Sequence, residues 1–312
     1  MPNDFVRKIA EDSERGREMS LVERAAGRMR PAEPEPAAAL AAGLKLPGAE
    51  EAPRAAPPPV VEAPQQAPVE LPVDRLRARG LLTPGNERSK LAEQYRLVKR
   101  PLLNKALAGT GGDTLAKLIM VTSARPGEGK TFTAFNLALS IAAERHLQVI
   151  LVDADPHRGQ VLDTLGLEKR HGFMEYLAGE VQRLSEVLLP TERENLWVLP
   201  AGRNHNHSTE LLAGPRMTEF ISELALAHRP RIVIFDSPPV LASTESTVLA
   251  QRVGQIVMVV EAQKTQRRTL EDALALLNAC PNVNLLLNKS HVSFGAEGYG
   301  GYGGYGNYHG RA

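Results

Sequence analysis

One nine-residue stretch limits the fold of this chain more than any other. An apolar run, Leu118–Thr122, leads into Ser123-Ala-Arg-Pro-Gly-Glu-Gly-Lys130-Thr131, and a helical pattern covers Thr131–Ala143. Strand, glycine-rich turn and helix in that order form a loop whose backbone N–H groups converge at a helix start, where a phosphate is held. In such a loop Lys130 reaches the β- and γ-phosphates and the Thr131 hydroxyl can ligate Mg²⁺. The first position is Ala124, where the pattern G-x-x-x-x-G-K-[ST] has glycine. Similar apolar runs recur at Val149–Val152, Leu196–Leu199, Ile232–Phe235, Ile256–Val260 and Val283–Leu287, and a second helical pattern covers Thr265–Leu277. Such runs suit strands buried on both faces. The alternation predicts an α/β fold, a mostly parallel sheet with helices on both faces.

Three carboxylates sit where two of these runs end, in Val152-Asp153-Ala-Asp155 and Phe235-Asp236-Ser-Pro-Pro239. The C-terminal ends of parallel strands point into the crevice where α/β sheets bind ligands. Asp236 suits the metal-holding acid of a phosphate-loop enzyme. Alternation places Asp153 and Asp155 on one side, so one could hold Mg²⁺ while the other takes a proton from an attacking hydroxyl. Capping of the following turn is the structural alternative for one of them.

Composition divides the chain. Residues 31–80 include a Pro/Ala/Glu-rich stretch without aromatics, which predicts a linker that cannot bury enough apolar surface to fold. Before it, residues 1–30 contain Ser20–Arg30, where Ser20 and Glu23 fit a capping box and an amphipathic helix is expected. Residues 81–290 are left as the folded domain, and 291–312 as a Gly/Tyr tail. Four of the six tyrosines, Tyr299, Tyr302, Tyr305 and Tyr308, recur there every third residue. Phenols among glycines read as substrates rather than as core. The net charge of +1 gives no electrostatic case for nucleic acid. The single Cys280 reads as a small buried hydrophobe in a reducing compartment. His205 and His207 lack further ligands at metal spacing. No apolar stretch reaches the 18 or so residues of a membrane span, so a cytoplasmic location is expected.

The three motifs together resemble the bacterial tyrosine kinases, a phosphate-loop family that autophosphorylates a C-terminal tyrosine cluster. Ala124–Thr131 looks like its Walker A loop, Val152–Asp155 like its second acidic motif, and Phe235–Pro239 like Walker B. Gly172–Gly179, Leu199–Gly202, Glu210–Leu212 and Leu287–Lys289 agree, and the match runs from about Ser89 to Lys289 plus the tail. Tyr95–Leu103 and Ser20–Arg30 are similar to the exosortase-associated autokinases of exopolysaccharide clusters. The resemblance implies ATP and Mg²⁺ as cofactors. It implies ATP contacts from Ala124, Arg125, Pro126, Gly127, Glu128, Gly129, Lys130, Thr131, Phe132 and Asn288. It places Mg²⁺ with Thr131, Asp155 and Asp236, gives the acceptor phenol to Asp153, and makes the four tail tyrosines phosphoacceptors in trans. It further implies a homo-oligomeric ring joined through Glu93, Arg96, Lys99 and Arg100, an activating membrane-embedded chain-length or export protein, recruitment to the inner face of the membrane, and a cognate tyrosine phosphatase.

Two positions depart from the family. His157 stands where it has arginine, with Arg158 one later, and Lys99 replaces the second arginine of Glu-x-x-Arg-x-x-Arg. Each phosphotyrosine adds roughly −1.5 to −2 charges, about −6 to −8 for four, which would favour ring dissociation. Two alternatives use the same fold: a partitioning-type ATPase switch, which would need an early lysine where Arg125 stands, and a nucleotide-dependent scaffold of an export complex.

Overall fold

A computed structural model describes residues 63–86, 88–108, 114–225 and 230–290. The helix expected at Ser20–Arg30 and the four tail tyrosines lie outside them. Among the described residues, seven strands form one sheet: β1 (Leu118–Ser123), β2 (Gln148–Asp153), β3 (Leu189–Pro190), β4 (Leu196–Leu199), β5 (Arg231–Asp236), β6 (Gln255–Glu261) and β7 (Val283–Asn288). Their order is β3-β4-β2-β5-β1-β6-β7. All neighbours run parallel except β3 and β4. The six apolar runs are six of these strands. β3 escaped the sequence because two residues, one of them proline, make no pattern.

Period-two alternation assigns each side chain of the central strands to one of two cores. Ile119, Val121, Val149, Leu151, Ile232, Ile234, Val257 and Val259 enter one core. There they meet α1 (Val73–Ala78), α2 (Lys90–Ala106), α3 (Lys130–Ile141) and α4 (Gln160–Leu165), through Leu76, Leu102, Leu137 and Val161. The intervening residues, among them Met120, Ile150, Val152, Val233, Phe235 and Met258, enter the other core. This second core is covered by α5 (Phe173–Ala178), α6 (Ser208–Ala213), α7 (Pro215–Ala225), α8 (Thr244–Ala250) and α9 (Arg267–Ala275). Phe173, Phe220 and Phe235 form its centre, with ring centroids 5.0 to 6.2 Å apart. Aromatic pairs at such spacing add about 0.5–1.5 kcal/mol each beyond burial. Cys280 is free and buried beyond α9.

Three expectations are corrected. The folded body begins before residue 81: Leu71 and Leu76 are buried in the core, and the Val69 N–H donates to the Pro190 carbonyl at 2.8 Å. The neighbouring Pro/Ala-rich composition hides these few apolar anchors. β7 is not buried on both faces, since it closes the sheet and leaves Leu285 and Leu287 58% and 59% exposed. An unbroken apolar run cannot by itself tell a central strand from an edge.

The third correction concerns Lys99. It does not share an outward face with Glu93 and Arg96, which pair with each other at the surface. Its side chain is buried, donates to the Ser140 carbonyl at 2.7 Å near the end of α3, and pairs with Glu144 at 2.8 Å. Lys99→Met is therefore expected to lower subunit stability by about 1–3 kcal/mol, because a buried carbonyl loses its donor. Arg100→Ala, at an exposed position, should change stability by less than about 0.5 kcal/mol. Urea unfolding of the two variants checks this; equal stability would return Lys99 to the subunit surface.

Candidate nucleotide and acceptor site

The strand registers bring the motifs together. Asp236 is paired with Val121 of β1 and with Asp153 of β2, so the loop following β1 and both acidic segments open at one edge of the sheet. The segment after β5 is stitched to β1. Ser237 donates through its hydroxyl to the Val121 carbonyl at 3.0 Å, and Thr122 donates to the Pro238 carbonyl at 2.8 Å.

The phosphate loop is braced from outside. Asn288 donates its side-chain amide to the Glu128 carbonyl at 2.9 Å, and Lys289 donates to the Gly127 carbonyl at 2.7 Å. With carbonyls held outward, loop N–H groups remain to face an anion. The buried Glu128 carboxylate accepts the Arg125 N–H at 2.8 Å and the Thr265 hydroxyl. Gly129 has a φ of +100°, and a Cβ there would collide with the Asn288 amide; only glycine fits. A cavity of about 320 Å³ lies against Pro126, Gly127, Gly129, Lys130, Thr131 and Phe132, and Arg79, Arg158, Gln160 and Pro239 are among the residues of its other walls. Ala124 is buried beneath the loop.

Lys130 pairs with Asp155 at 3.5 Å, both of them buried. Asp155 also accepts the Arg158 N–H at 3.1 Å. Asp153 is fully buried and accepts the N–H groups of Asp155 and Val161 at 3.1 and 3.0 Å, so it anchors the turn leading into α4. Burial, then the charge of Asp236, push the Asp153 carboxyl up to about 8, against those two N–H donors. Burial likewise pushes Asp236 up to about 6, with Lys130 and Thr131 opposing and Asp155 adding to the rise. The two carboxyls therefore titrate as a pair, both raised by burial.

Asp236 is 1% exposed, and neither of its carboxylate oxygens has a hydrogen-bond partner among the described residues. The nearby Thr131 hydroxyl is donated to Gln160 Oε1 at 3.0 Å. Two orphaned oxygens on a buried carboxylate are what a divalent cation would satisfy. The chain's residues therefore fit Mg²⁺, and the glycine cradle fits the phosphates it accompanies.

Sequence reasoning named Lys130, Thr131, Asp153, Asp155, Asp236 and Asn288, and all of them meet here. It missed the bracing role of Thr265 and Lys289, and the part of Gln160. It also missed Glu245, which accepts the Ser208 hydroxyl at 2.6 Å and that of Ser243, and lies 3.2 Å from His157. Burial would raise Glu245, yet those hydroxyls, its own backbone N–H and His157 outweigh this and bring it to about 2. His157, the departure from the family pattern, is thus tied to α8. Of these four only Lys289 lies in a recognised motif, Leu287–Lys289, which assigns it no role; Thr265, Gln160 and Glu245 lie in none.

A sequence profile describing an AAA domain matches residues 116–291. The tyrosine-protein kinase YwqD of Bacillus subtilis is 31% identical over 202 residues, covering 65% of this chain and 81% of that protein. The tyrosine-protein kinase wzc of Salmonella typhimurium is 28% identical over 203 residues, again 65% of this chain but only 27% of the relative. The etk tyrosine-protein kinase of Escherichia coli K12 is 33% identical over 147 residues, 47% of this chain and 20% of its own. The chain thus spans only 27% and 20% of the length of the last two relatives. Among solved structures, the kinase domain of E. coli ETK superposes with a TM-score of 0.56 at 23% identity, covering 73% of this chain and 92% of that domain. The VpsO kinase domain gives 0.52 at 25%, covering 65% and 98%.

Proposed function

The chain belongs to the bacterial tyrosine kinases, and from that premise we propose that it is an ATP-dependent protein-tyrosine autokinase. Its substrates are Tyr299, Tyr302, Tyr305 and Tyr308 of a second copy. The observation that carries this reading is the meeting of Lys130, Asp153, Asp155 and Asp236 at one edge of the sheet, in a chain that ends in a tyrosine cluster. When bound, ATP with Mg²⁺ supplies the γ-phosphoryl group and the cation that offsets its charge. The loop N–H groups and Lys130 would hold the phosphates, and Thr131, Asp155 and Asp236 would hold the cation. Phe132 would flank the nucleotide, and Asn288 would contact it from the end of β7. Asp153 orients the phenol and takes its proton. A carboxyl raised toward neutral pH is well matched to that task. Most of the rate in phosphoryl transfer comes from such positioning and charge stabilisation.

In its cellular role the kinase works in exopolysaccharide synthesis and export. It assembles as a homo-oligomer through the Glu93, Arg96 and Arg100 face of α2, a membrane-embedded partner activates it at the inner face of the membrane, and a phosphatase resets it. No helix among the described residues is long and apolar enough to cross a membrane. Incubating the full chain with labelled ATP and Mg²⁺, then mapping phosphotyrosine, tests the activity. Label is expected on the tail and absent when all four tail tyrosines are phenylalanine. ATP hydrolysis with no tail label would leave an ATPase switch instead.

A further inference from the structure

A second cleft, of about 720 Å³, opens beside the phosphate-loop cavity; Arg158 lines both. Its volume falls within the roughly 300–1,000 Å³ of small-ligand sites. Lys169, Arg170, His171, His157 and Arg203 add to Arg158 on its walls, against a single lining carboxylate, Asp153. Two of these groups are already committed: Arg203 to Glu175 and Glu180 at 3.1 and 2.5 Å, and His157 to Glu245. The side chains of Arg158, Lys169 and His171 have no polar partner among the described residues. Arg170 makes one contact, at 3.4 Å to Gln66, and its Nε is buried without a partner. Cations gathered on the walls of one cleft, with Asp153 as its lining carboxylate, call for an anion. Pro156, Leu162 and Ala201 give the same cleft an apolar wall that suits an aromatic ring.

The chain itself carries an anion of this shape once its tail is modified. Resting on the kinase reading, we propose that the cleft is a phosphotyrosine subsite for an already modified residue of the tail, held while the next tyrosine reaches Asp153. Tail tyrosines recur every third residue, so neighbouring phenols are attached at most about 10 Å apart along an extended chain. That spacing lets a modified residue and the incoming phenol share this one cleft, whose wall includes both Arg158 and Asp153. The first phosphorylation then primes the later ones, and the triplet spacing acquires a purpose beyond crowding charge.

The test needs no catalysis. Full-length, dephosphorylated protein without nucleotide is titrated against fluorescent peptides of residues 295–312, one unmodified and one phosphorylated at Tyr305. The phosphopeptide should bind about 10-fold tighter, the scale of one set of charge-assisted contacts. Free O-phosphotyrosine should displace it better than inorganic phosphate does. The double variant Lys169→Gln/His171→Gln should lose most of the preference, whereas Arg267→Gln/Arg268→Gln, on the exposed side of α9, should keep it. Equal binding of the two peptides, equal displacement by inorganic phosphate, or equal loss in both double variants overturns the proposal. Label incorporation measured in parallel separates the two readings. Label without phosphopeptide preference removes the subsite alone; preference without label removes the kinase alone.

Discussion

Asp236→Asn is expected to reduce tail phosphorylation by on the order of 10³-fold while raising the stability of the nucleotide-free protein at pH 8. The two effects have one cause. Asp236 is buried, lacks any hydrogen-bond partner among the described residues, and lies in register with the equally buried Asp153. Burial raises both carboxyls above the ordinary carboxylate range. For a group whose folded pKa is raised, the stabilising contribution of its proton is complete below the unfolded pKa and disappears as pH rises through the folded value. The wild-type apoprotein should therefore lose stability as pH rises from about 4 to about 8, with Asp236 and Asp153 titrating as a pair. Asparagine cannot ionise, so its pH slope should be flatter. Thermal melts at pH 5 and pH 8, with and without Mg²⁺ and a non-hydrolysable ATP analogue, read this out. Wild type should regain stability at pH 8 on adding both, and the variant should gain much less. A wild-type melting temperature that is the same at both pH values would show that the pair is solvated and that the orphaned oxygens have been misread.

The sequence revealed the parts whose chemistry is local. A strand, a glycine turn and a helix are contiguous, so Ser123–Thr131 could be placed before any long-range contact was known. The acidic residues at the ends of β2 and β5 were equally legible, because strand alternation and the crevice rule locate them without a partner. What could not be read was pairwise. Lys99 looks outward on a helical wheel, yet it turns in because the Ser140 carbonyl near the end of α3 needs a donor. Thr265 and Lys289 act on a loop more than 130 residues earlier in the chain, and only the placement of β6 beside β1, with β7 beyond it, brings them there. The basic cleft is assembled from the segment before α4, the residues preceding α5 and the loop after β4. No spacing in the chain announces it.

Lys130→Met should match Asp236→Asn in lost activity and oppose it in stability. Lys130 is the cation paired with Asp155, and its charge also opposes the rise of Asp236. Methionine keeps the length of the side chain and removes the charge. Phosphotransfer should fall by on the order of 10³-fold, because the loop keeps its N–H groups and loses the ammonium that follows the transferred phosphoryl. Asp153, Asp155 and Asp236 would then face one another with no balancing ammonium. At pH 8 the variant should melt below wild type, and at pH 5, where protons replace the missing charge, the gap should narrow. The double variant Lys130→Met/Asp236→Asn should recover much of that stability at pH 8, a coupling of roughly 0.5–3 kcal/mol for residues in one network. Its activity should stay at the floor set by either change alone. Melting temperatures that simply add across this cycle would mean that Lys130 and Asp236 do not sense each other. The site would then be a phosphate loop beside two acids rather than one electrostatic unit.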